Sequence, residues 1–184
     1  MNRFSAFFAR YIANPDPLAH AANFVAVLVG TNQPLYPLAL YWATGADVTG
    51  VIICFLSAPC FLAIPFIARR SSLAGRLALV LVSTIDTLVS VKVYGQAGGN
   101  ELYLGPCLML AVMLFRKGEW RVSFGCVALV WAGLFGLHDR YGASVLGWSA
   151  NDYATMMSFN VFYVAMLTVF IALGVGRARG EGGQ

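Results

Sequence analysis

Charged side chains are scarce in this chain of 184 residues: they make up 11% of it, whereas hydrophobic residues make up 59%. Soluble domains carry about 25% charged residues, so a soluble fold could not cover its surface with this composition. The shortage excludes an ordinary water-soluble domain and predicts an integral membrane protein. No nucleic-acid-binding motif is present, and a membrane face accounts for the basic residues, so we expect no nucleic-acid partner.

Groups that carry catalysis or bind metals are equally scarce. The chain has two histidines and four cysteines, with no CxxC pair and no Cys/His cluster at zinc spacing. Gly-x-Ser-x-Gly, HExxH and phosphate-loop motifs are absent. Asp86 is the only carboxylate predicted to be embedded in the membrane, since Glu101 belongs to an outer loop at the start of the fourth span, and this excludes a paired-aspartate intramembrane protease. We therefore expect no catalytic residues, no metal site and no cofactor.

The two histidines are also badly placed for haem. His20 begins the first predicted span on one side, and His138 ends the fifth on the other. They should lie about 30 Å apart across the bilayer core, so they cannot both ligate one haem in a monomer.

Long apolar runs are abundant. A bilayer crossing needs about 20 mostly apolar residues, and six stretches qualify, the fourth and fifth being short. The sequence predicts an all-α polytopic membrane protein, with one six-helix transmembrane domain over residues 18–176 and a cytoplasmic tail over 177–184. The predicted spans are 18–42, 49–68, 72–93, 101–115, 121–137 and 153–176.

The basic residues predict the orientation of these spans. Ten of the 12 lie on one side of the predicted membrane, and only Lys92 and Arg140 lie on the other. Because Lys and Arg are enriched in cytoplasmic loops, both termini should be in the cytoplasm, which fits a bacterial inner-membrane protein.

Residues 1–17 form a separate predicted element. Within 2–13, NRFSAFFARYIA, five residues recur at the spacing of one helical face. These are Phe4, Phe7, Phe8, Tyr11 and Ile12. The pattern predicts an amphipathic helix lying in the cytoplasmic interface, ended by Asn-Pro-Asp-Pro; the alternative is a disordered basic tail.

The stretch GTNQPLYPLALYW, residues 30–42, places polar residues and two prolines inside the first span. Each proline frees a backbone carbonyl, which is costly in hydrocarbon unless it is satisfied locally. One interpretation is a kinked helix in which the side chains of Thr31, Asn32 and Gln33 hydrogen-bond the freed carbonyls. The other is a polar site shared with other spans.

Depth in the membrane favours a shared site. Asn32 and Gln33 lie just beyond the midpoint of span one, Asp86 lies at the same depth in span three, and Asn160 lies about two turns into span six. An acid inside a span normally faces the bundle interior and has a partner. We predict that these four residues form a pocket in the outer half of the bundle for a small or lipophilic ligand. The alternative is a structural hydrogen bond.

The stretch VYGQAGGNELYLGPCLMLAVMLFRKGEW, Val93–Trp120, has a glycine-rich outer loop leading into a helix that ends in Phe-Arg. With six spans, cytoplasmic ends and short inner turns, it resembles the six-transmembrane sensor and anchor modules that precede bacterial class III adenylate cyclases and diguanylate cyclases. The resemblance implies signal transduction without catalysis. It also implies an output domain, which residues 1–184 do not contain, so the chain is expected to be a stand-alone relative or one piece of a longer protein.

The expected function is therefore that of a non-enzymatic sensory, anchoring or accessory membrane protein. Its expected partners are the lipid bilayer and either a second copy of the chain or a larger membrane complex. The alternatives are a small transporter, and a quinone- or haem-associated redox subunit of a larger membrane complex.

Overall fold

The computed structural model describes residues 3–45 and 55–181, and the predictions for 1–2, 46–54 and 182–184 lie outside these ranges. The all-α prediction is confirmed: the described residues form helices and no strand. The helices are α1 (Arg3–Ile12), α2 (Pro17–Asn32), α3 (Leu35–Thr44), α4 (Ser57–Arg70), α5 (Ser72–Tyr94), α6 (Leu104–Met113), α7 (Trp120–Leu137) and α8 (Ala150–Glu181). Short 3-10 turns lie at Gln96–Gly98, Asn100–Tyr103 and Lys117–Glu119.

The first predicted span is broken where its polar residues occur. Helix α2 ends at Asn32 and α3 begins at Leu35, so Gln33 and Pro34 form the junction. Proline has no N–H to continue the helical ladder, which explains the break. The Thr31 hydroxyl donates to the Val27 carbonyl in its own helix over 2.7 Å, whereas the Gln33 side chain reaches α5.

Arg76 contacts several segments of the chain at one end of the bundle. Its side chain is only 2% exposed and bonds both carboxylate oxygens of Glu119, at 2.7 and 2.8 Å. It also donates to the Leu114 carbonyl at 2.7 Å and lies 3.7 Å from Asp16. Arg179 reaches the same end and donates to the Phe115 carbonyl. The start of α2, the α4–α5 and α6–α7 turns and the end of α8 therefore share this basic end.

The α5–α6 and α7–α8 connections meet at the opposite end. Lys92 donates to the Tyr141 and Ala143 carbonyls, and the Glu101 carboxylate lies 2.9 Å from Nδ1 of His138. Helices that follow one another from α4 to α8 thus run in alternating directions between the two ends, around a core built mainly from α2, α4, α5, α6 and α8.

Within the described residues, three helices rather than six are long and apolar enough to cross a membrane: Ser72–Tyr94, Lys117–Leu137 and Ala150–Gly180. The predicted first span does not qualify because it is split into helices of 16 and 10 residues. The predicted fourth, 101–115, is shortened because its start is a 3-10 turn. The predicted second, 49–68, falls partly outside the described residues, which leave α4 with 14 residues.

Helix α1 packs on the basic end. The Tyr11 hydroxyl donates to the Leu62 carbonyl of α4, and the Arg69 guanidinium lies 5.3 Å from the centre of the Tyr11 ring. Ile12 is buried, whereas Phe7 is 68% exposed on the same helix. The side chain of Phe4 lies outside the described part. One part of the apolar face of α1 therefore packs on the bundle, and the other part is exposed.

Candidate functional site

The central contact of the site joins the α2–α3 break to α5. The side-chain amide of Gln33 donates to Oδ2 of Asp86 over 2.7 Å, and Ser57, the first residue of α4, also hydrogen-bonds the Asp86 side chain. Three elements meet at this carboxyl: Gln33 continues the last turn of α2, with its N–H on the Val29 carbonyl, and its side chain reaches across to α5. Among the described residues, no salt bridge involves Asp86, so a carboxylate here would have no cationic partner.

A cavity of about 290 Å³ opens beside this contact. Ligand pockets commonly measure about 300–1,000 Å³, so this one suits a small organic molecule. Its polar lining includes Asn32, Gln33, Asp86 and the Ser83, Thr87 and Ser90 side chains of α5. Most of the remaining wall is apolar, and it comes from α2, α4, α5, α6 and α8.

The cavity extends to the surface of the bundle along α8. Phe162, Met166 and Phe170 line it at a spacing of four residues, and they are 60%, 41% and 39% exposed. A molecule could enter from the side here without passing through the core. In a bilayer this mouth would face lipid.

Aromatic side chains form much of the cavity wall toward the end of the bundle opposite the basic end. Tyr36, Tyr94, Tyr103 and Tyr163 all line the cavity. The rings of Tyr36 and Tyr94 meet edge to face at 5.6 Å, and those of Tyr36 and Tyr163 lie 6.2 Å apart. The predicted pocket contained none of these tyrosines. Their outer-half depth in the predicted spans is the signal that could have found them.

Three of the four predicted site residues line the cavity, and one does not. Asn32, Gln33 and Asp86 line the cavity, whereas Asn160 lies outside its lining and is fully buried. Asn160 donates to the Gly98 carbonyl over 2.8 Å and accepts from the Tyr103 hydroxyl over 3.4 Å. Its contact with the site is therefore indirect, through Tyr103, and it fixes the loop that precedes α6. Asn32 faces the cavity and makes no side-chain hydrogen bond within the described part of the chain.

Metal-binding groups do not converge in the part of the chain that the structure describes, where no cluster of three His, Cys, Asp or Glu side chains occurs. Cys107 lines the cavity, with its sulfur 3.8 Å from the Thr87 hydroxyl. The described arrangement offers a single carboxyl, amides, hydroxyls and aromatic faces. Such a set binds and orients a molecule by hydrogen bonds, charge and apolar contact.

The chain was compared with protein-family models, with curated proteins and with solved structures, and it matches none of them. Its function must therefore be argued from the site itself.

Proposed function

We propose that this chain is a six-helix, non-enzymatic protein of the bacterial inner membrane, of the sensory, anchoring or accessory type. It binds a small lipophilic molecule with a polar head group in the cavity beside Asp86. The observation that carries the proposal is the hydrogen-bonded pair of Gln33 and Asp86 in the wall of a cavity that is otherwise largely apolar.

The described connections between helices gather at the two ends of the bundle, as expected if the helices cross a membrane, and this supports the six-span arrangement. Helices α5, α7 and α8 would each cross alone. Helices α2 and α3 together would make a fourth crossing and α6 with its preceding 3-10 turn a fifth. The predicted span 49–68, of which α4 is the described part, would make the sixth. A broken helix is tolerated in a membrane where its freed backbone is buried in protein or lines a cavity, and Gln33 at the break lines this one. Large apolar side chains exposed on α7 and α8, such as Phe135 at 70% and Leu173 at 55%, would contact lipid.

Orientation is tested by reporter fusions. A reporter joined after Gln184 should report the cytoplasm, and one inserted within 139–152 should report the periplasm, because ten of 12 basic residues lie on the side of the termini. A periplasmic C-terminus would contradict the six-span arrangement. An insertion within the loop between α6 and α7 is the control, and it should match the C-terminal fusion.

Ligand binding is tested on the full chain purified in mild detergent. We expect mass spectrometry of an organic extract to recover a small lipophilic molecule from the wild type and much less from Asp86→Asn. Thr168→Val is the matched control, because Thr168 bonds only its own helix at Val164 and does not line the cavity. Equal recovery from all three proteins would show that the molecule is bulk lipid and would refute the pocket.

A transporter is the second candidate, and the break at Gln33 and Pro34 favours it. Discontinuous membrane helices often supply the substrate sites of transporters near the membrane midplane. Uptake or efflux of the recovered molecule by proteoliposomes would distinguish transport from sensing. A visible absorption spectrum of the same sample tests the haem-associated alternative, which requires a Soret band.

A further inference from the structure

The carboxyl of Asp86 has no cation to pair with around the cavity. The cavity wall contains no Lys, Arg or His among the described residues, and the sequence of 46–54 contains none either. Asp86 is therefore the only formally charged side chain in the described lining. Asp86 is half-buried, and a carboxylate that is partly removed from water is costly unless it is paired, so a ligand that brings a cation would stabilise it.

The hydrogen-bond donors nearest the carboxyl are already engaged. Gln33 donates to Asp86 itself, Thr87 donates to the Ser83 carbonyl over 2.8 Å, and Ser83 donates to the Leu79 carbonyl over 2.7 Å. The Asn32 amide and the Ser90 hydroxyl also line the cavity, so a neutral ligand with a carbonyl head would still find donors. Charge is what distinguishes a cationic ligand, because the only formally charged side chain in the described lining is an acid.

Aromatic faces surround the same space. Tyr36, Tyr94, Tyr103 and Tyr163 line the outer part of the cavity, and Phe61 lines it from α4. Aromatic rings attract cations through their quadrupole, and quaternary ammonium groups are commonly held between such rings. Desolvation strengthens this attraction, so an organic cation with an apolar body matches both the acid and the wall.

We infer that the cavity is a binding site for a lipophilic organic cation, an amine or quaternary ammonium compound whose charged head lies at Asp86 and whose body lies against the aromatic wall. This inference rests on the proposed function, because it names the chemistry of the ligand for the same pocket. The mouth along α8 gives the cation a route from the lipid phase.

The test uses the full chain in lipid nanodiscs and three probes. Benzyltrimethylammonium carries the charge, neopentylbenzene is its uncharged isostere, and menadione is a neutral carbonyl compound. Binding is measured by the shift in thermal unfolding at increasing probe concentration. Asp86→Asn removes the charge with little change in shape, Asp86→Glu restores it, and Thr168→Val controls for partitioning into lipid.

We expect the wild type to bind the cation at least about tenfold more tightly than its isostere, a preference retained by Asp86→Glu and Thr168→Val and lost in Asp86→Asn. Equal binding of the cation and its isostere, or tighter binding of menadione than of the cation, would overturn the inference that the ligand is a cation. Either result would still support a ligand-binding pocket. Failure of all three probes to bind would overturn both the inference and the pocket. The comparison of probes on the wild type decides the matter even if Asp86→Asn fails to fold.

Discussion

The Gln33–Asp86 hydrogen bond makes a quantitative prediction about coupling. Its 2.7 Å length is short for an amide donor, and its acceptor is a carboxyl oxygen. Side-chain hydrogen bonds in membrane proteins average about 0.6 kcal/mol in double-mutant cycles, with a maximum near 1.7. A short bond to a carboxyl belongs in the upper part of that range, so we expect a coupling energy of about 1–1.7 kcal/mol.

The cycle consists of Gln33→Leu, Asp86→Leu and the double variant. Each single change leaves one polar group of the pair without this bond, whereas the double change removes both groups. The double variant should therefore be more stable than the sum of the two single effects predicts. The measurement is the free energy of unfolding in mixed micelles, titrated with a denaturing detergent.

Asn32→Ala with Asp86→Leu is the matched control pair. Asn32 lines the same cavity but makes no side-chain hydrogen bond to Asp86 among the described contacts. Residues that share a cavity can couple without a direct bond, so this pair measures that background, and its coupling energy should be smaller than that of Gln33 and Asp86. A coupling energy for Gln33 and Asp86 no larger than this background would show that the two side chains do not meet, and the site built on their contact would be wrong.

Three further predictions concern the scaffold. Gly75→Ala should destabilise the protein by about 1–3 kcal/mol in the same assay, because a Cβ at Gly75 would lie 2.7 Å from the Ala68 Cα. Arg76→Gln should cost about 1–3 kcal/mol, because it removes a buried guanidinium that hydrogen-bonds Glu119, whose carboxylate is partly exposed and can be hydrated in the variant. The hydrogen bond that His138 donates to the Glu101 carboxylate raises the pKa of His138 above its usual 6.5, so His138→Gln should reduce thermal stability most below about pH 6.5. That reduction should shrink as the pH rises through the raised pKa of the folded protein.

Controls for these changes lie on α8. Gly174→Ala adds a Cβ that meets nothing within 4 Å, so it should be neutral or stabilising. Arg177→Gln removes an exposed charge and should change stability by no more than about 0.5 kcal/mol. If Gly75→Ala matched Gly174→Ala, the close approach of α4 and α5 would be wrong. A pH-independent effect of His138→Gln would contradict its ion pair with Glu101.

Much of the helical framework could be predicted from local sequence. The apolar run 72–93 corresponds to α5, Ser72–Tyr94, because a long apolar segment without proline has one stable backbone state in a low-dielectric environment. The first span could not be predicted with the same precision. The composition of 18–42 indicates one crossing, but the missing N–H of Pro34 divides it into two helices, and proline alone does not determine whether a helix bends or breaks.

For the site, the sequence by itself determined which polar residues lie at a common depth, since depth follows from the position of a residue along an apolar run. Only the tertiary structure decided which of them meet. The rotation of each helix about its axis is set by side-chain packing with its neighbours, and this packing directs Gln33 toward Asp86 while it turns Asn160 toward the loop at Gly98. The tyrosines that complete the cavity wall come from separate helices. Their convergence is a property of packing between distant segments, which the pattern within a single segment does not contain.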